Sequence, residues 1–220
     1  MKLAVDYGRK RCGYAIGEMT PAKAGVTDPE GILRIVRDMK PDAVILGLPL
    51  SMSGRYSCQT FEVLEFADKL KKMGFDVFLV DERLTTKMAH DILKESRGNT
   101  AVDAVSASLI FESFVENPGA SYKIPKELPK VEMNEEIRGK KVLILNVPDP
   151  SVLDRVEAEE LDVLQRDPYF AYLFKKRVRF VERFEEFLKG PYDTVIACSD
   201  DFDEDLLEDG GKAVILECPI

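Results

Sequence analysis

Four carboxylates stand where an apolar chain has no structural need of charge. Asp6 closes the run "KLAVD", Asp81 and Glu82 follow "FDVFLV", and Asp103 falls in the first turn of "TAVDAVSASLIF". A buried charge is costly unless it is protonated, paired or met by a cation. If these elements converge, the carboxylates meet at one end of a sheet, where their mutual repulsion calls for protons or divalent cations. Hard oxygen donors suit Mg²⁺ or Mn²⁺. Two such ions activate water and steady a leaving oxygen in phosphodiester cleavage. A plainer account also fits: a strand-end acid can cap a helix, and Asp103 can be a favourable charge at a helix start. Neighbouring strand residues face opposite sides. Asp81 and Glu82 therefore share one site only if the strand has already ended; otherwise one of them is structural.

Cations sit close to the first acid in "DYGRKR". Gly8 permits a sharp turn or a close backbone approach to a substrate. Arg9, Lys10 and Arg11 can grip phosphates or simply solvate a turn. Arg83 can pair with an acid or hold the scissile phosphate. Thr85 and Thr86 read as the start of the next helix, with Thr85 as its cap.

These residues need a scaffold, and the pattern supplies one. Strands are expected at Lys2 to Tyr7 and Arg11 to Glu18, joined as a hairpin, with a brief third strand near Lys23 to Val26. Residues 29–39 read as a helix, with Pro29 at an early position and Ile32, Leu33, Ile35 and Val36 on one face. The unbroken apolar run in Asp42 to Leu50 reads as a central strand. A helix over 58–73, the strand ending in "VDER", a helix from Thr85 to Glu95, a turn at "SRGN" and a helix from Ala101 to Glu116 follow. The sum is a mixed sheet with helices on both faces. Phe61, Phe66, Phe111 and Phe114 read as core.

The Pro-bearing stretch 118–138 reads as a linker. It separates a domain at 1–117 from a smaller α/β domain at 139–220. In the latter, "KKVLILNVP", "YDTVIACS" and "GKAVILECP" are strands, and Pro150 to Lys189 is expected to hold two helices. Residues 1–120 carry 16 Lys/Arg against 17 Asp/Glu, while 121–220 carry 15 against 23, so the formal net charge of −9 sits almost wholly in the second part. The overall charge argues mildly against broad polyanion binding, yet the near-neutral first part can still present a basic face to nucleic acid. No leader is evident and no run reaches about 18 apolar residues, so a cytoplasmic, non-membrane protein is expected. Four cysteines without a CxxC pair, and one histidine, make a zinc site improbable.

Four motifs in order resemble the Holliday junction resolvase-like proteins also called putative pre-16S rRNA nucleases. They are "VDYGRKRCGYAIGE", "ILGLPLSMSGRYSCQT", "VDERLTT" and "VDAVSASLIFESF", spread over about residues 1–116. The resemblance implies a ribonuclease H-like mixed five-stranded sheet flanked by helices, and metal-dependent nuclease chemistry with Mg²⁺ or Mn²⁺. By position Asp6 is the first-strand metal acid, Glu82 in preference to Asp81 the second, and Asp103 the helix acid. Ser51, Ser53, Gly54, Arg55 and Gln59 match the family loop and would line the cleft, although a plain strand-to-helix connection explains them too. The implied role is 16S rRNA 5′-end maturation on structured RNA, with ribosome association. Alternatives are a nuclease of Holliday junctions or other structured DNA, on which a homodimer would place two cuts, and an inactive nucleic-acid or ribosome-binding module. An actin-like phosphotransferase shares only the first motif. Several departures stand out. Only Arg97 offers a cation just before the helix acid, Ala104 stands where the family often has lysine, and Ser106 stands where some resolvases carry a second acid.

The resemblance does not reach residues 121–220. There "FKKRVRFVERF" (Phe174 to Phe184) reads as a helix packing Phe174, Val178, Val181, Phe184 and Leu188, rather than an RNA-stacking face. "SDDFDEDLLEDG" (Ser199 to Gly210) reads as a charged helix start, and Cys198 and Cys218 as small buried apolar groups. His90 reads as a structural histidine.

Overall fold

The computed structural model describes residues 1–84 and 99–219. The helix expected over Thr85 to Glu95, with Thr85, Thr86 and His90, lies outside the described residues, as does Arg97. The chain forms two compact units, Met1–Lys126 and Glu127–Ile220.

The first unit is built on strands β1 (Lys2–Asp6), β2 (Cys12–Gly17), β3 (Pro21–Thr27), β4 (Ala43–Leu48) and β5 (Val77–Asp81). Their order is β3-β2-β1-β4-β5, with the two-residue β6 (Tyr122–Lys123) added beyond β5. The hairpin partners β1, β2 and β3 run antiparallel, and β1, β4 and β5 run parallel. This is the expected mixed five-stranded sheet flanked by helices. The stretch expected as a linker does more than connect. It pairs β6 with Phe78 and Leu79, and its last residues open a strand of the second unit.

Helices α1 (Pro29–Met39), α2 (Cys58–Lys72) and α3 (Asn99–Glu116) complete the unit. Asp28 caps α1 by accepting from the Gly31 amide, and Ser57 and Thr60 form a reciprocal capping box on α2. Strand alternation then divides the core. Ala4, Ala15, Ile45 and Val80 pack against Ala107, Ile110, Phe111 and Phe114 of α3. The alternate residues Leu3, Val5, Val44, Leu46 and Leu79 are fully buried on the opposite face, which α1 and α2 cover. Burying a side chain such as Phe111 contributes about 1.5–3 kcal/mol. Of the four phenylalanines expected in the core, Phe61 differs: it is half-buried and tilts against Tyr56 at 5.6 Å.

The second unit is a separate α/β sheet of β7 (Ile137–Leu145), β8 (Val156–Leu164), β9 (Val181–Glu182), β10 (Tyr192–Ala197) and β11 (Leu207–Ile215), with α4 (Pro168–Lys175). Its order is β11-β10-β7-β8-β9, all parallel. Four expectations fail here. Pro150 to Lys189 holds one short α-helix, with 3-10 turns at Pro150–Arg155 and Glu185–Phe187, in place of two helices. The Glu- and Ala-rich segment that propensity reads as helix is β8, paired along β7, because tertiary pairing overrides weak local preference. The Phe174–Phe184 helix stops at Lys175, and Val181 packs as part of β9. The acidic run at 199–210 passes through a short 3-10 turn (Glu204–Leu206) into β11. Cys198 and Cys218 are half-buried and joined in a disulfide. They follow neighbouring parallel strands, and that adjacency brings them together.

Candidate functional site

Alternation that sorts the core also sorts the acids. Asp6 follows Ala4 onto the α3 face, while the next residue, Tyr7, stacks on Phe66 of α2 at 4.7 Å on the other side. Gly13 is the β2 partner of Asp6. A Cβ at Gly13 would collide with the backbone carbonyl of Asp103. The bare position therefore lets the start of α3 rest on the hairpin and brings Asp103 beside Asp6. On the other flank, Gly47 follows Ile45 on β4, and a Cβ there would collide with the Glu82 carboxylate and lie 2.6 Å from Ile110. Two strand glycines thus clear space for the two acids that flank Asp6. Glycine inside a strand is a sign of such close approach. Neither glycine announces this role in the sequence, because the acid that each clears lies far along the chain.

The middle pair separates by partner. Strand β5 ends at Asp81, and Glu82–Leu84 form a 3-10 turn. Asp81 is buried and bound to Arg83: it accepts from the Arg83 amide at 3.0 Å, from Nε at 3.0 and 3.1 Å, and from Nη2 at 2.6 Å. Such bidentate, charge-assisted bonding commits Asp81 to fixing the turn. Glu82 instead shares the α3 side with Asp6.

The electrostatics record the crowding. Burial, then the charge of Asp103, pushes the Asp6 carboxyl up to about 6, against a hydrogen bond from Ser106 that works the other way. Burial, then Asp6 and Asp81, pushes Glu82 up to about 7. Asp103 Oδ2 is buried with no hydrogen-bond partner, and Arg11 Nη2 stands 3.3 Å away without hydrogen-bonding geometry. An all-oxygen donor set, mutual repulsion and an orphaned buried oxygen fit a hard divalent cation. Among the described residues, however, no three His, Cys, Asp or Glu side chains form a cluster that would hold a metal ion as they stand.

The remaining candidates fall at different places. Gly8 lies in the β1–β2 turn, where a Cβ would press on the Arg11 carbonyl at 2.5 Å. Arg9 pairs with Glu62 of α2, its Nε donating at 2.7 Å, and Lys10 is exposed. Ser51, Ser53, Gly54 and Arg55 form one turn leaving β4, and Gln59 is exposed in the first turn of α2. Among the described residues, Arg11 stands beside Asp103 and Arg83 beside Asp81. Cys58, at the start of α2, is exposed and free of any disulfide.

Known proteins bear on this geometry. Residues 1–117 match the family described as RuvX, Holliday junction resolvase. A putative pre-16S rRNA nuclease from Thermotoga maritima is 42% identical over 195 residues, covering 89% of this chain and 84% of that protein. A protein of the same description from Shewanella oneidensis is 39% identical over 131 residues, covering 52% of this chain and 93% of that protein. The first alignment is too long to fit within residues 1–126 and so enters the second unit, which corrects the expectation that likeness stops near residue 120. A Thermus thermophilus RuvC solved with a Holliday junction substrate aligns at 13% identity and a TM-score of 0.39, over 56% of this chain and 98% of that one. No described helix is long and apolar enough to cross a membrane.

Proposed function

Because this chain belongs to the RuvX family, we propose that it is a divalent-metal-dependent nuclease that acts on phosphodiester bonds, with the 5′ end of precursor 16S rRNA as its substrate. The observation that carries the reading is the electrostatic strain between Asp6, Glu82 and Asp103, each brought to the α3 side of the sheet by a different element. Asp6, Glu82 and Asp103 would hold Mg²⁺ or Mn²⁺, which would supply charge neutralisation at the scissile phosphate and acidify an attacking water. Arg11, beside Asp103, places a guanidinium where a phosphate would approach. Ser106 orients Asp6 through its hydrogen bond. Asp81 and Arg83 hold the turn that aims Glu82.

RNA is favoured over DNA by the description shared by the curated relatives from Thermotoga and Shewanella. Cleavage of a four-way DNA junction is the second reading, supported by the family's description. Incubation of the protein with a 5′-extended 16S precursor, single-stranded RNA and a four-way DNA junction, each with Mn²⁺, tests both. The expected result is shortening of the precursor that stops in Asp6→Asn. Cleavage of the junction alone would replace the first reading with the second, and no metal-dependent cleavage of any substrate would defeat the enzyme assignment.

A further inference from the structure

The loop that leaves β4 emerges between β1, which ends at Asp6, and β5, which ends one residue before Glu82. In the sheet, β4 lies between β1 and β5, with Val5 beside Leu46 and Leu48 beside Asp81. The loop is short and heavily bonded. The Gly54 amide donates to the Ser51 carbonyl at 2.7 Å, and the Ser51 amide to the Arg55 carbonyl at 3.1 Å. The Arg55 amide donates to Ser51 Oγ at 2.9 Å, and the Ser51 and Ser53 hydroxyls meet at 3.0 Å. Gly54 takes a φ of 80°, which closes the turn without a Cβ penalty. The far end is tied to α2, where the Thr60 hydroxyl donates to the Pro49 carbonyl.

At the tip of this turn stands Met52, 95% exposed, the most exposed of the large apolar side chains described. Its neighbours Ser51 and Ser53 supply hydroxyls, and Arg55 a guanidinium. A single exposed apolar residue is ordinary on a protein surface. This one differs by place and mounting: a hydrogen-bonded turn holds it at the sheet end where Asp6 and Asp81 close their strands, and it stays 95% exposed among the described residues. An apolar side chain presented in this way is the form in which proteins enter a base step and unstack it. Unstacking is costly in a continuous helix and much less so where the stack is already broken.

Resting on the nuclease reading above, we propose that Met52 enters an interrupted base stack of the bound nucleic acid. It thereby selects substrates with a helix discontinuity, such as a junction between duplex and single strand, next to the scissile bond. The hydroxyls of Ser51 and Ser53 would face the backbone on either side of the wedge.

The test uses full-length protein carrying Asp6→Asn, so that the substrate stays intact, and an RNA with 2-aminopurine at the border between duplex and single strand. Binding is read by anisotropy and unstacking by the fluorescence of the base analogue, with a continuous duplex as reference. The base analogue should brighten on binding. Met52→Ser should abolish the brightening and lower the preference for the interrupted substrate over the duplex by about tenfold, while Met52→Phe retains both. The melting temperature should be unchanged in either variant, since the side chain is 95% exposed among the described residues. Equal brightening with Met52→Ser would overturn the proposal, as would a preference for interrupted substrates that survives it. Met52-dependent brightening without cleavage by the unsubstituted protein would keep the wedge and remove the nuclease reading. Absence of binding to either RNA would remove both.

Discussion

The second unit surrounds its buried carboxylates with donors, whereas the first does so for Asp68 and Asp81, which meet Lys72 and Arg83, but gathers Asp6, Glu82 and Asp103 together. In the second, Asp149, Asp162 and Asp193 each meet a donor, although Asp193 Oδ1 itself makes no hydrogen bond. Asp149 accepts from the amides of Val131 and Ser151, both at 2.9 Å. Asp162 accepts from the Tyr192 hydroxyl at 2.7 Å. Burial works against the charge of Asp193, but the Lys141 and Lys140 amides pull its carboxyl below the usual range. In the first unit, burial and the charge of Asp103 push Asp6 up, burial and the charges of Asp6 and Asp81 push Glu82 up, and Asp103 Oδ2 makes no hydrogen bond although Arg11 stands 3.3 Å away. Acids that receive donors brace the fold. Acids gathered at one place repel one another, and on the proposed reading a divalent cation would offset that repulsion.

The sharpest way to break this contrast is at Gly13, where the first unit trades side-chain volume for approach. Gly13→Ala drives a methyl into the Asp103 backbone and should cost about 3 kcal/mol, read as a fall in the denaturation midpoint together with loss of cleavage. An unchanged midpoint would mean that α3 does not rest on the hairpin. The second unit has its own device. Replacing both cysteines of the bridge, Cys198→Ser with Cys218→Ser, should cost about 3 kcal/mol, because the crosslink closes a span of 20 residues. Hydrogen exchange should show faster opening in β10 and β11 and no change in β1, β4 and β5. Loss of protection spread over both sheets would dissolve the distinction between the units.

A smaller effect follows from the raised carboxyls. Asp6 and Glu82 have folded values of about 6 and about 7, above their values of 3.8 and 4.5 as free groups. The folded state therefore holds their protons more tightly than the unfolded state does. Stability is full below about pH 4 for this pair and is lost as pH rises through 6 and 7, by on the order of 3 kcal/mol per group. Thermal melts of the metal-free protein should show this decline between pH 5 and 8, and Mg²⁺ should reverse it at the upper end. Asp6→Asn should flatten the profile. A profile that rises across the same window would assign the strain to other groups.

Much of the first unit was legible because its signals were strong and local. Helix α1 runs from Pro29 to Met39 as its spacing indicates, and the alternation in β1, β4 and β5 fixes which face each residue meets. The same parity separates Glu82 from Asp81 once Val80 is assigned to the α3 side. What the sequence hid is relational. Gly13 and Gly47 matter because of what lies across from them, and neither Asp103 nor Glu82 is near them in the chain. The bridge between Cys198 and Cys218 depends on β10 and β11 being neighbours. Segment 156–164 carries Glu, Ala and Leu residues that suit a helix, and only its pairing with β7 makes it a strand. The short β6 likewise gains its identity from Phe78 and Leu79.

Binding of Mn²⁺, followed by calorimetry at pH 7.5 in the full-length protein and three variants, tests the shared cation site most directly. The account predicts that Asp6→Asn and Glu82→Gln each weaken Mn²⁺ binding by at least about tenfold. Asp81→Asn, whose carboxylate serves Arg83, should leave the affinity close to that of the unsubstituted protein. Equal affinity in all four proteins, or a loss confined to Asp81→Asn, would contradict it.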